Sequence, residues 1–291
     1  MASIVQEGSM SILKLGGCCI VFTLVLLFAL PVMSAEPAKK RYVLAVVPNQ
    51  PAITLHKNWT PLVQYLSKQL GVDIELKLYD KIDVFLEDTQ KGAADFTYSA
   101  PNMFYLAYQK QKYVPLVRSS HQLQGQVFVR KDSPYTKVSD LKGKTIASVG
   151  PKSICSVITR HALLTGQGAI DYNSSFSGST INVAKSVLLG KVDAGVTLDT
   201  SVINDAPEML SEFRVILRTE KIAPHPLAAH PRVPKKLQNA VTRAVLALDQ
   251  SEEGRRMLKD VKLVDPVKAD FKRDYSFFAK VDLEGPRQQS K

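Results

Sequence analysis

Two short stretches far apart in the chain, Gln90-Lys91-Gly92-Ala93-Ala94-Asp95-Phe96 and Leu189-Gly190-Lys191-Val192-Asp193-Ala194-Gly195-Val196, follow one pattern. Each comes at the end of a helix-like segment. Each places a Gly where a helix stops, then an Asp, then an apolar run of strand character. A small polar turn follows each run: Tyr98-Ser99-Ala100-Pro101-Asn102 in one, Thr197-Leu198-Asp199-Thr200-Ser201 in the other. A chain that builds one helix-to-strand-to-turn unit twice is expected to form two similar lobes with a cleft between them. Such a cleft suits a small ligand.

The remaining pattern supports two α/β lobes. Tyr42 to Val47 is a near-continuous apolar run, as in a buried parallel strand, and Pro48-Asn49-Gln50-Pro51 breaks it. Trp59, Leu62, Val63, Leu66 and Leu70 form a helical stripe that Gly71 ends. Strands are expected over 72–78, 95–98 and 113–117, with helices over 81–91 and 102–111, so 42–117 reads as alternating β and α with a mostly parallel sheet. Further strands are expected over 126–130, 145–149 and 192–196. A helix runs through Ala162-Leu163-Leu164 to Gly166, and another spans 181–189. The strand Phe213 to Leu217 lies near a return crossing. Lys235 to Asp249 is an amphipathic helix, and Ser251 caps the next one, which ends near Lys259. The expected division is a targeting segment over 1–35, the first lobe over 36–120 and 218–291, and a second lobe inserted over 121–217. Two crossings, near 119–124 and 218–225, make a hinge.

Charge and cysteine usage narrow the class. Lys and Arg number 38 against 27 Asp and Glu, a net charge of +11 spread along the chain. That excess suits a solvated basic surface, or a field that concentrates anions in a cleft. The chain has neither an arginine-rich arm nor an aromatic-basic motif, so nucleic acid is not an expected partner. Lys14 precedes an apolar run from Cys18 to Leu30, and Pro31-Val32-Met33-Ser34-Ala35 supplies small residues for cleavage after Ser34 or Ala35. The run is short of the ~20 residues that span a bilayer, so it reads as a signal peptide directing the chain to the periplasm. An uncleaved membrane anchor is the alternative. Removing residues 1–35 takes Cys18 and Cys19 with it and leaves Cys155 alone.

In open α/β sheets, ligands bind beyond the carboxyl ends of the strands. Four turns qualify: 48–54, 98–102, 150–156 and 197–201. Their side chains are mostly hydroxyl, amide or aromatic: Asn49, Gln50, Thr54, Tyr98, Ser99, Asn102, Ser153, Ser156, Thr200 and Ser201. Helix N-termini beside them offer free N–H groups and partial positive charge, which favour anions. Taken singly, each Ser, Thr or Asn also reads as a helix cap.

Several ordered segments resemble the periplasmic phosphate/phosphite/phosphonate-binding proteins. They are Val43-Leu44-Ala45-Val46-Val47-Pro48, Trp59-Thr60-Pro61-Leu62-Val63-Gln64-Tyr65-Leu66-Ser67, and Asp140-Leu141-Lys142-Gly143-Lys144 with the Ser153 turn. Phe176-Ser177-Gly178-Ser179, Gly190-Lys191-Val192-Asp193-Ala194-Gly195 and Pro224-His225-Pro226 continue the series. The resemblance runs from Arg41 to Lys259. It implies a type II periplasmic binding fold and a monomeric solute-binding subunit of an ABC importer. That subunit would deliver a phosphonate, phosphite or phosphate-like oxyanion to a membrane permease. By resemblance, Tyr98 matches the family's aromatic site residue and Asp199 its acidic one. Where relatives carry a Ser-Thr-Ser-Gly-like run, this chain has Ser153-Ile154-Cys155-Ser156. Where they carry His and an acid after Ser-Gly-Ser, it has Thr180-Ile181. Backbone N–H groups at 153–156 are unaffected by those changes. The expected ligand-binding set is therefore Asn49, Gln50, Thr54, Tyr98, Ser99, Ser153, Cys155, Ser156 and Asp199. Asp199 would accept the proton of a protonated oxyanion or pair with an amino group. A ligand-sensing partner of a sensor kinase or chemoreceptor, with a non-phosphonate ligand, is the alternative.

No catalytic set is expected. Cys155 and His161 are six apart on a helix and face different ways. The five His show no metal spacing, Gly166-Gln167-Gly168 lacks the rest of a dinucleotide fingerprint, and no cofactor is implied.

Overall fold

The computed structural model describes residues 40–166, 168–199 and 207–283. The expected signal peptide, and Thr200 and Ser201, lie outside the described residues. Among the described residues no helix is long and apolar enough to cross a membrane.

Two mixed sheets organise the chain. The first has six strands: β1 (Arg41–Val46), β2 (Asp73–Lys77), β3 (Phe96–Tyr98), β4 (Val114–Ser119), β10 (Pro226–Ala229) and β11 (Pro266–Lys268). Their spatial order is β11-β4-β10-β3-β1-β2. The second has five: β5 (Leu123–Arg130), β6 (Thr145–Ser148), β7 (Asn173–Phe176), β8 (Ala194–Leu198) and β9 (Phe213–Ile222), in the order β7-β6-β8-β5-β9. Each sheet has a parallel core, β2-β1-β3 in one and β7-β6-β8 in the other, extended by antiparallel strands.

The doubled unit explains that parallel core. Gly92 and Gly190 take left-handed φ of +73° and +64°, where a side chain is strained. Three residues on, Asp95 N–H donates to the Val43 carbonyl while Val43 N–H donates to the Asp95 carboxylate, both at 2.9 Å. Asp193 makes the same pair of bonds with Thr145, again at 2.9 Å each. Each Asp side chain thus pairs the first strand's N–H with the third strand's entry and sets the register. Arg232 holds the Asp95 carboxylate and the Tyr135 hydroxyl holds that of Asp193.

Helices α1 (Ala52–Leu70), α2 (Ile82–Gln90), α3 (Pro101–Gln111), α6 (Lys235–Leu248) and α7 (Glu252–Asp260) pack on the first sheet, and α4 (Ile154–Thr165) and α5 (Thr180–Leu188) on the second. The α1 stripe buries Leu55, Trp59, Leu62, Val63 and Leu66, and Gly71 caps the helix in the left-handed region. Its core includes Val241, Val245 and Leu248 of α6. Ser251 caps α7 as expected, accepting from Gly254 N–H at 3.0 Å. A second apolar cluster joins the two halves: Met103 and Tyr105 of α3 with Ile154, Val157 and Ile158 of α4, and with Phe278 and Val281 after the short helix α8 (Phe271–Asp274).

The strand expected to end at Leu217 continues to Ile222, because Thr219 and Ile222 are buried and pair onward with β5. The segments linking the sheets are therefore 120–122 and 223–225. Strands β7, β10 and β11 carried no readable signal. β7 is Asn-Ser-Ser-Phe on an exposed edge, and β10 and β11 are short and begin with Pro. β10 separates β3 from β4, which the expected parallel order would have left adjacent.

Candidate ligand site where two helix N-termini meet

The turns after β3 and β6 launch α3 and α4. Pro101 opens α3, where its missing N–H removes no helical bond. Ser153 precedes α4. The two ends meet: the Asn102 side-chain amide donates to the Lys152 carbonyl at 3.0 Å, and the Lys152 ammonium pairs with Asp83 in the first turn of α2. Two helix N-termini here direct partial positive charge and free N–H groups at one place.

Polar groups at the α3 end lack partners. Ser99 and Asn102 are each 2% exposed, and Ser99 Oγ and Asn102 Oδ1 have no hydrogen-bond partner among the described residues. Thr97 Oγ1, two residues earlier, is in the same condition.

At the α4 end the groups satisfy one another. The Ser153 hydroxyl donates to the Gly150 carbonyl at 2.9 Å, so the Ser156 hydroxyl donates to Ser153 across 2.6 Å. The Cys155 sulfur lies 3.4 Å from Ser153 Oγ. Burial raises the Cys155 pKa, and the neighbouring Ser153 and Ser156 side chains and the backbone at Ser156 and Val149 pull the other way without reversing it. The thiol stays protonated and adds no negative charge to the helix end. Ser153 stands at the N-cap position, yet its side chain makes no cap bond.

The other expected residues lie in different surroundings. The Tyr98 ring packs in the core on Trp59, 4.8 Å between centroids, and stacks on His225 at 5.5 Å. Burial raises the Tyr98 pKa and holds His225 down to about 4, so both are neutral near pH 7. Asn49 is exposed, Gln50 and Thr54 are half-buried, and none of their side chains is hydrogen-bonded among the described residues. Asp199 directly follows β8, where its carboxylate accepts from Gln124 N–H at 3.3 Å and its own N–H donates to the Gln124 carbonyl. A cavity of about 380 Å³ opens elsewhere, between the far side of α4, β9 and Phe277.

Arg160 was not singled out by the sequence. It is 6% exposed and donates to the carbonyls of Pro151, at 3.2 Å, and Asp282, at 2.7 Å. It therefore ties the turn before α4 to the C-terminal segment. An arginine on the apolar face of a helix is the signal that could have found it.

Residues 44–275 match the family model described as ABC transporter, phosphonate, periplasmic substrate-binding protein. Three solved structures are similar in fold. A Xanthomonas citri protein bound to chloride ion has a TM-score of 0.71 and 17% identity, covering 82% of this chain and 96% of that one. PhnD1 from Prochlorococcus marinus in complex with methylphosphonate has a TM-score of 0.69 and 15% identity, with 83% and 96% covered. A binding-protein component of an ABC phosphonate transporter from Pseudomonas aeruginosa has a TM-score of 0.64 and 14% identity, with 80% and 82% covered. The two mixed sheets with parallel cores are those of the type II periplasmic binding proteins. The match over most of its length places this chain in the family of periplasmic substrate-binding proteins of phosphonate ABC transporters, a non-enzymatic transporter component.

Proposed function

We propose that this protein captures a small phosphorus oxyanion of the phosphonate, phosphite or phosphate class where α3 and α4 meet, and delivers it to an ABC permease after export to the periplasm. One observation carries the reading: buried, unpartnered Ser99 Oγ and Asn102 Oδ1 stand at the start of α3, where the turn before α4 meets it. A buried polar group without a partner costs ~1–3 kcal/mol, and a ligand that supplies the partner recovers it. The sheets are the cores of two lobes, one built from residues up to 119 and from 226 onward, the other from the insert 123–222, which close about the linking segments 120–122 and 223–225. The contacts from Asn102 to Lys152 and from Lys152 to Asp83 join the two helix ends and support such a closure. Ser153, Cys155 and Ser156 shape the α4 wall, and the first-turn N–H groups of Ile154, Cys155 and Ser156 contribute to anion binding. Asn49, Gln50 and Thr54 line the rim, Tyr98 supports the floor, and Asp199 fixes the crossing beside it.

A thermal-shift screen of phosphate, phosphite and methylphosphonate tests this. A ligand at 100 times its Kd adds about 2.7 kcal/mol of stability. Absence of stabilisation by all three at millimolar concentration would sink the reading.

A further inference from the structure

We propose that Asn102 selects ligands that present an N–H or O–H donor beside their anionic oxygens; this rests on the oxyanion-binding reading above. The Asn102 amide has one donating and one accepting end. The donating end is engaged by the Lys152 carbonyl at 3.0 Å. A carbonyl oxygen only accepts, so the opposite orientation would set two acceptors face to face, and Oδ1 must point away from Lys152. There it is buried, with no partner among the described residues.

The chemistry that follows is restrictive. A fully ionised oxyanion carries acceptors only. Seated at the junction, it leaves Oδ1 unpaired and sets oxygen against oxygen. A ligand with an acidic hydroxyl, or with an ammonium group, pairs with Oδ1. The sequence suggested the Asp199 carboxylate for this accepting role, but one Asp199 oxygen already accepts from Gln124 N–H. Asn102 differs in being neutral, so it takes a donor without placing a second negative charge beside the anion. Ser99 Oγ, also buried and unpartnered, both donates and accepts and so does not discriminate.

Calorimetric titration of the full chain with methylphosphonate, methanesulfonate and 2-aminoethanesulfonate tests the proposal. Methanesulfonate is close in size and charge to the methylphosphonate monoanion but lacks its proton. Methylphosphonate is expected to bind about ten- to a hundredfold more tightly than methanesulfonate. That advantage should shrink as pH rises through the second ionisation of methylphosphonate. In Asn102→Ala every ligand weakens, because Lys152 is released, but the ratio falls toward one. Should that variant not fold, Asn102→Ser gives the same collapse, since its hydroxyl donates as well as accepts. 2-Aminoethanesulfonate is expected to bind like methylphosphonate, its ammonium supplying the donor; binding no tighter than methanesulfonate overturns the proposal for N–H donors. Equal affinity for methylphosphonate and methanesulfonate, or an unchanged ratio in the variants, overturns the selection by Asn102 and leaves oxyanion binding standing. Failure of every ligand to bind overturns both.

Discussion

The N-termini of α3 and α4 are built alike and finished differently. Each follows a parallel strand, each opens a helix of three turns or so, and each ends in small polar residues. At α4 the polar groups close on themselves: Ser156 on Ser153, Ser153 on Gly150, and the Cys155 thiol among them. At α3, Ser99 and Asn102 are more deeply buried than Ser153 and yet keep unpaired oxygens. Self-satisfied groups contribute to the stability of the empty protein, whereas unpaired buried groups cost stability until a ligand arrives. The protein thus places its stability at one helix end and its readiness to bind at the other.

One C-terminal segment anchors both. Phe271 and Tyr275 pack on α3 through Phe104, Tyr105 and Tyr108, and Phe278 and the Asp282 carbonyl hold α4. The largest expected effect comes from loosening its start. Asp274 is buried against Arg118, whose side chain is 11% exposed, and also accepts from Arg273. Burial alone would raise the Asp274 pKa, but the bonds from Arg273 and Arg118 prevail and hold it at about 2 against an ordinary 3.8. Asp274→Ala should cost ~3 kcal/mol or more, because it strands the buried Arg118. The folded pKa is the lower one, so this contribution is complete above pH 3.8 and is lost as pH falls toward about 2. Urea denaturation at neutral and acid pH reads both effects. A loss below ~1 kcal/mol at neutral pH would mean that the segment does not anchor α3 in this way.

A smaller effect is expected at the other anchor. Arg160→Gln releases the Pro151 and Asp282 carbonyls and should cost about 2 kcal/mol, typical for charged hydrogen bonds. Because Pro151 lies in the turn before α4, ligand affinity should fall as well, and calorimetry of the variant would detect it. Affinity unchanged beside lowered stability would separate the anchor from the site.

The smallest changes sharpen the comparison most. Ser153→Ala should cost the ligand-free protein about 1 kcal/mol, since it breaks the closed hydroxyl set. Ser99→Ala should leave ligand-free stability unchanged within ~0.5 kcal/mol, or raise it, while reducing affinity about tenfold. Paired thermal melts with and without methylphosphonate distinguish them. The same response in both variants would erase the distinction between the two helix ends.

What was legible in the sequence followed from local chemistry. Gly92 and Gly190 had to be glycine for φ near +70°, and the Asp three residues later bonds to a strand whose place the repeat predicts. The stripes of α1 and α6 and the Ser251 cap are likewise properties of a few neighbouring residues. The positions of Ser99 and Ser153 at helix starts were legible for the same reason. What those hydroxyls do was not. Ser153 reads as a cap and turns instead to Gly150, because Ser156 and Cys155 crowd the same turn. Tyr98 reads as a site aromatic and packs on Trp59, because strand alternation sends its ring to the α1 side. The short strand β10 is fixed only by its partners β3 and β4.

The sequence by itself determined the doubled α/β unit and its polar turns, because a positive-φ glycine, a capping hydroxyl and an apolar stripe act within a few residues. Only the tertiary structure decided which of those polar groups are paired. Whether Asn102 keeps a free oxygen depends on Lys152, fifty residues away, arriving with a carbonyl that engages its nitrogen and leaves the oxygen for a ligand.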